Sequence, residues 1–437
     1  MNPGSDPSLA PSVREPLPSL SGATRYRLTV RHMFLGAAFL LLLLAVVIPN
    51  SLPIPTAVAM GLAFLLALPG LRIGSGFRNL LMLYACTVVI TVVYMVVGTM
   101  HGAPQIAIAQ VFAIYILSPL VWMIIAAGLL RRLGADRLID WFALLSLLCT
   151  LSVALFFYLY LRHGAAAVAF FFEGANVNLQ EGFSGATMHV YGSLIFLCGG
   201  FFSSPELIKN RLLRFVLLAA LLVCALTSGR TALILAVPLG WILGLMLVSR
   251  TTGSTRRSPI TRIILYGLPM LIAVAAALIL LQTYTQISLS RVFDAVSTKL
   301  ASGGGSARSE MSHSLFAGIL DNDGLGAGHG VGVGFISDPL HPWRYEVVWL
   351  ATAYRVGLLG ALVYALPFVI YMAAVLRMAY SRRLPPRHKF MFCGFVCAFL
   401  AANTNPYIEA FAFQWMYVIP LVALFIENPA SLRKVPE

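Results

Sequence analysis

The chain has 437 residues, of which 59% are hydrophobic and 11% charged, with a mean hydropathy of +0.87 and a formal net charge of +14. Soluble domains carry roughly 25% charged residues, so the composition excludes an ordinary soluble protein and points to an all-α, polytopic integral membrane protein. No nucleic-acid-binding motif accompanies the positive charge, so nucleic acid is not expected as a partner; membrane lipids with anionic headgroups are.

Residues 1–31 are polar and rich in Pro and Ser, and they lack the apolar core and cleavage site of a removable signal peptide. They are expected to form a disordered cytoplasmic tail. A spanning helix needs about 20 mostly apolar residues to cross about 30 Å of hydrocarbon. Twelve segments qualify: 33–49, 53–71, 79–98, 106–130, 138–161, 188–204, 211–228, 230–249, 263–283, 356–377, 389–404 and 408–427. The sixth is short, and the seventh and eighth share a tight turn. A small outer loop covers 162–188, a large one 284–345, and a short tail 429–437 closes the chain. All six Cys fall inside these helices and read as small packing residues, with no disulfide framework and no metal-site spacing.

Twelve spans put both termini on one side, and 23 of the 30 Lys and Arg fall there. The positive-inside rule makes that side cytoplasmic and the large loop periplasmic. The outer side is chemically mixed, with nine of the 16 acids and six of the eight His. That is where a reaction site is expected.

Five outer features carry candidate chemistry. Arg230 follows Thr227-Ser228-Gly229 at the mouth of two helices, where a guanidinium backed by helix N-terminal amides suits a diphosphate; the bland alternative is a snorkelling arginine. Arg308 opens an amphipathic helix with Met311, Leu315, Phe316 and Ile319 on its apolar face and Glu310 and His313 on its polar face. The glycine-rich run Gly324–Gly334 lacks the strand and helix of a nucleotide loop, so it reads as flexible turns, with His329 incidental. His341-Pro342-Trp343-Arg344 leads into a second amphipathic stretch, on which Arg344 and Arg355 share a face; Trp343 and Tyr345 also read as interfacial anchors. His341 or Glu346 can serve as a base beside these cations. Finally, Glu173, Glu181 and His189 in the small loop, and Asn403, Asn405 and Glu409 near the last outer turn, are candidates for sugar contacts.

The arrangement resembles the bacterial O-antigen ligase and O-antigen or exopolysaccharide polymerase superfamily. Leu226–Ala232 is similar to its T-x-S-R-G-A segment. Arg308–Phe335 resembles its Arg-led amphipathic helix followed by a glycine-rich run, and Trp349–Gly360 its entry to the next span. The resemblance covers roughly residues 160–380. It departs in two places: the family's catalytic His register falls on Glu346, with His341 five residues earlier, and an N-P-N segment is replaced by Gly185–Tyr191.

The resemblance implies a GT-C-like membrane fold and a metal-independent, cofactor-free glycosyltransferase of the periplasmic face of the bacterial inner membrane. The donor would be a glycan on undecaprenyl diphosphate and the acceptor a sugar hydroxyl. Polymerisation of exopolysaccharide, capsule or O-antigen repeat units is expected, with O-antigen ligation to lipid A-core as the alternative. Arg230, Arg308 and Arg355 would bind the diphosphate, and His341 or Glu346 would be the base. Arg344, His313, Glu310, Glu173 and His189 would contact sugars. A chain-length regulator and a flippase of the same pathway are expected partners. A 12-helix secondary transporter is the reading from another class, but the middle inner loop near 205–210 is short and Arg72–Asn79 lacks an acidic partner. A non-catalytic scaffold would leave the outer Arg and His set unexplained.

Overall fold

The computed structural model describes residues 22–169, 171, 176–177, 186–247, 306–336 and 338–427. These residues are predominantly helical, with a two-residue antiparallel bridge, Asn176–Val177 against Ala186–Thr187. In chain order the main helices are α1 (Gly22–Val46), α2 (Pro53–Ala67), α3 (Ser75–Met100), α4 (Gln105–Val111), α5 (Ser118–Arg132), α6 (Ala135–His163), the single turn α7 (Ala165–Val168), α8 (Val190–Ser203), α9 (Arg211–Thr227), α10 (Thr231–Met246), α11 (Ser306–Asp321), α12 (Val348–Tyr380), α13 (Pro386–Ala401) and α14 (Trp415–Glu427).

Among the described residues six stretches are long and apolar enough to cross a membrane: Thr29–Val46, Pro53–Gly70, Ser75–Met100, Gln105–Arg132, Ala135–His163 and Val348–Tyr380. Val190–Ser203, Thr231–Met246 and Trp415–Glu427 are apolar but shorter. The chain is thus a helical protein of membrane-associated character. The expected span 263–283, residues 1–21, Glu173, Glu181 and 428–437 lie outside the described residues. Two expectations shift. Helix α1 starts at Gly22, inside the stretch read as disordered tail. The last helix starts at Trp415 rather than 408, because Tyr407–Glu409 and Phe411–Phe413 fold into two separate 3-10 turns.

Local chemistry explains several boundaries. Pro53 and Pro386 stand at first helical positions, where a missing N–H costs nothing. Asn210 caps α9 by accepting from the amides of Leu212 and Leu213 at 2.9 and 3.2 Å. Between α4 and α5 the chain widens into a π-helical turn, Phe112–Leu117. Gln414, just before α14, donates from Nε2 to the Ile114 carbonyl in that turn at 2.8 Å.

The core is centred on α8, every residue of which is buried, packed between α10 and α13. Small residues permit the approach: a Cβ on Gly240 or Gly244 would stand 2.6 Å from the α8 backbone at Gly199 or Ser203. Close backbone contact of this kind is how apolar helices associate where lipid is as greasy as leucine. Phe142, Phe196, Phe390 and Trp415 then tie α6, α8, α13 and α14 together through edge and stacked ring contacts.

A second, smaller cluster joins α11 to the start of α12: Met311, Leu315, Ile319, Ala327, Tyr345, Ala351 and Tyr354. Three of the four residues expected on the apolar face of α11 are buried here, whereas Phe316 is 55% exposed. Trp343 and Tyr345 are buried as well, not interfacial anchors.

The glycine run is not a free turn. Helix α12 breaks at Gly357, whose φ of 68° lies in the left-handed region. The break releases backbone groups that the run pairs: Ala327 N–H donates to Tyr354 O at 2.8 Å, Gly328 N–H to Arg355 O at 2.9 Å, and Leu358 N–H to Gly324 O at 2.9 Å. On its other side His329 N–H donates to Tyr94 O on α3 at 2.9 Å. A Cβ at Gly328 would collide with the Gly98 backbone, so the first part of the run, Gly324–Gly330, is wedged between two helices.

Candidate functional site

Arg230 is the N-cap residue of α10; its extended backbone (φ −97°, ψ 109°) follows Gly229 in the left-handed region. Ser228, buried, accepts from the Arg230 amide at 3.0 Å and holds the turn. The side chain is half-buried, and among the described residues it has no carboxylate partner. It lies beside His189, the residue preceding α8: burial and then the Arg230 charge hold that imidazole below its ordinary pKa, so it is neutral near pH 7.

Arg308, on the first turns of α11, donates from Nε to Glu346 Oε2 at 2.8 Å, an ion pair whose side chains are 31% and 40% exposed. The element that unites this pair with Arg230 is Tyr407, in the first 3-10 turn after α13. Its phenol feels the positive charge of Arg230 and Arg308 and the negative charge of Glu346, while burial pushes it above its usual pKa and keeps it a neutral hydrogen-bond donor. Its ring lies against α8, where a Cβ on Gly192 would sit 2.6 Å from Tyr407 Cε1. Arg230, Arg308 and Glu346 thus lie within electrostatic reach of Tyr407, and His189 within reach of Arg230, from α10, α11, the entry to α12, the α13–α14 connection and the start of α8.

The remaining candidates separate. Arg355 is buried on α12 and ion-paired to Glu409 through Nη1, which also donates to the Tyr115 hydroxyl at 3.3 Å. Its Nη2 donates to the Trp343 carbonyl at 2.8 Å, and its guanidinium faces the Tyr345 ring at 5.7 Å. It is a buried cation whose charge Glu409 neutralises. Arg344 precedes α12 instead of sharing a helical face with Arg355; it is exposed and donates to Gln110 Oε1 at 3.0 Å. His341 turns to Asp338, Nδ1 to Oδ2 at 2.8 Å, and packs edge-on to Trp343. Glu310 and His313 are exposed on α11. Asn403 is exposed, and the Asn405 side chain donates from Nδ2 to its neighbour Thr404 Oγ1 at 3.5 Å. Among the described residues no three His, Cys, Asp or Glu side chains converge as a metal site would need.

Tyr407, Tyr115 and Glu409 were not legible as site partners, although Glu409 was singled out for its place near the last outer turn. Nothing in the sequence joins Glu409 to Arg355, 54 positions earlier. His329 was read as incidental but is a buried member of this second network. It is 1% exposed, and its Nε2 lies 3.1 Å from the Tyr364 hydroxyl. Burial and the nearby Arg355 push its pKa down to about 3.

Beside both groups lies a cavity of about 680 Å³ between α3, α5, α12, α13 and α14. Its walls are overwhelmingly apolar, with Tyr84, Tyr115, Thr352 and Gln414 among the polar residues that line it. Leu358 and Leu362, 56% and 67% exposed, form part of its wall, so it reaches the outer surface of the helices. It also includes Trp349 and Ile408, chain neighbours of Glu346 and Tyr407. No protein-family model, curated protein or solved structure matches the chain.

Proposed function

We propose that the chain is a membrane-embedded glycosyltransferase that takes a glycan from undecaprenyl diphosphate and joins it to a sugar hydroxyl, polymerising repeat units of an exopolysaccharide, capsule or O-antigen at the periplasmic face of a bacterial inner membrane. The observation that supports this reading best is the gathering of Arg230, Arg308 and Glu346 around Tyr407, next to an apolar cavity open at its side. Two arginines and one carboxylate carry a surplus positive charge. That suits a leaving diphosphate, whose charge grows as the glycosidic bond to phosphate breaks.

In this reading the acceptor oxygen bonds to the anomeric carbon while the carbon–oxygen bond to the diphosphate breaks, its electron pair leaving with the diphosphate. Arg230 and Arg308 stabilise that group, and the Tyr407 hydroxyl donates to it. Arg308 exchanges Glu346 for the diphosphate, which frees the carboxylate to accept the acceptor proton. Glu346 is preferred as the base over His341 because it, and not His341, touches Arg308. Arg355, neutralised by Glu409, is assigned no diphosphate contact. The polyprenyl chain would occupy the cavity.

The test is Arg230→Ala in cells dependent on this gene product. Polymer is lost and single lipid-linked repeat units accumulate, while the variant reaches the membrane at wild-type levels. Wild-type chain lengths in that strain would sink the proposal.

A further inference from the structure

At the end of the helices opposite Arg230, four arginines converge from three separate segments. Arg31 lies on α1, Arg72 just after α2, and Arg131 and Arg132 in the last turn of α5. Arg72 lies within electrostatic reach of Arg131, and Arg31 within reach of Arg132. Among the described residues none of the four has a carboxylate partner. The nearest acid in sequence, Asp136, is turned to Arg387 at 3.6 Å.

Charges that only fix topology need to be on the correct side; they need not be built into the fold. These are built in. Arg132 donates to the carbonyls of Leu66 and Ala67 at 3.0 and 3.3 Å and lies 4.5 Å over the Phe34 ring. A Cβ on Gly70 would strike its guanidinium, so that position leaves room for it. Arg31 in turn donates to the Arg132 carbonyl at 2.9 Å. Arg131 Nη1 is buried with no hydrogen-bond acceptor. A partly desolvated cation set without a counter-charge is costly unless an anion compensates it. Met33, Leu68 and Ile73, 54%, 41% and 61% exposed, place apolar surface in the same chain segments.

We propose that Arg31, Arg72 and Arg131, set in place by Arg132, form a binding site for the phosphate of an anionic phospholipid headgroup, whose acyl chains lie along Leu68 and Ile73. The chemistry recognised is an anionic phosphate group, and free phosphate species are the other source of such a group. The site stands apart from the Arg230 cluster and does not depend on the function proposed for it.

The test is native mass spectrometry of the full-length protein, delipidated in detergent and offered phosphatidylglycerol, phosphatidylcholine or inorganic pyrophosphate. The wild type retains one phosphatidylglycerol in preference to phosphatidylcholine. With each interfacial basic residue contributing comparably, the double variant Arg72→Gln/Arg131→Gln loses about thirtyfold of that retention and Arg72→Gln alone about fivefold. Arg72 is exposed, so the single variant keeps the test readable if the double variant fails to fold. Equal retention of the two lipids, or unchanged retention in Arg72→Gln, overturns the proposal. Pyrophosphate binding without a lipid preference overturns the assignment to a phospholipid.

Discussion

Two arginine centres lie in neighbouring parts of this molecule and have been given opposite environments. Arg355 is buried and ion-paired, and it donates to a tyrosine hydroxyl and a backbone carbonyl as well. Arg230 and Arg308 are half-exposed, and of the two only Arg308 has a carboxylate partner among the described residues, Glu346. Sequence alone makes all three candidates for one diphosphate, with Arg230 and Arg308 ahead of Arg355, and leaves their environments open. The difference teaches that a cation whose donors are satisfied inside the protein works as architecture, while one left partly open remains available to a ligand.

The largest effect should come from breaking the closed centre. Removing Arg355 leaves Glu409 buried with the Tyr115 hydroxyl still donating to it but without a counter-charge, since the side chains of the pair are only 6% and 11% exposed. Breaking one side of such a pair typically costs about 3–5 kcal/mol. Arg355→Ala and Glu409→Ala should each lower the unfolding free energy in detergent by about that amount, and Arg355→Met/Glu409→Leu should recover much of the loss. If the double variant is as unstable as the sum of the singles, Arg355 is not the structural cation described here.

The open centre should respond in activity instead. Arg308→Ala is expected to slow glycosyl transfer by about 10²–10³-fold, the usual loss when one preorganised charge stabiliser is removed. Its ion pair with Glu346 is about one-third exposed and contributes roughly 1 kcal/mol or less to stability, so the unfolding midpoint should barely move. A large loss of stability with unchanged transfer would exchange the roles of the two centres.

How much of this was readable depended on whether the determinant was local. Arg230 stood out as a single charge between two apolar runs. The apolar face of α11 was legible at Met311, Leu315 and Ile319 because helical spacing encodes it; Phe316 failed because the face is narrower than the spacing suggests. The pairing of Arg308 with Glu346 was invisible, since 38 residues separate them. The glycine run misled for a related reason. Its composition matches a loose turn, but its hydrogen bonds go to backbone groups released by the break at Gly357 and to α3, and neither partner leaves a local mark. The start of α14 was placed too early because 408–414 is as apolar as a span, and only the tertiary contact of Gln414 with Ile114 marks where the helix begins.

The smallest effect concerns the seam between the two centres, where the glycine run carries His329 beside the Arg355 network. This imidazole is neutral in the folded protein, with a pKa pushed down to about 3 by burial and by Arg355. In the unfolded chain its value is near 6.5. The unfolded state therefore binds a proton first as the pH falls. The stability from keeping His329 neutral is complete above about pH 6.5 and is lost progressively toward pH 3. Between pH 7 and pH 5 this one group should remove about 2 kcal/mol, less than breaking the Arg355 pair. His329→Gln keeps a polar side chain toward Tyr364 without the titration. Its unfolding midpoint should change much less over that interval than the wild type's. An equally steep pH dependence in the variant would show that the acid sensitivity lies elsewhere and that the wedge of the glycine run does not depend on a neutral imidazole.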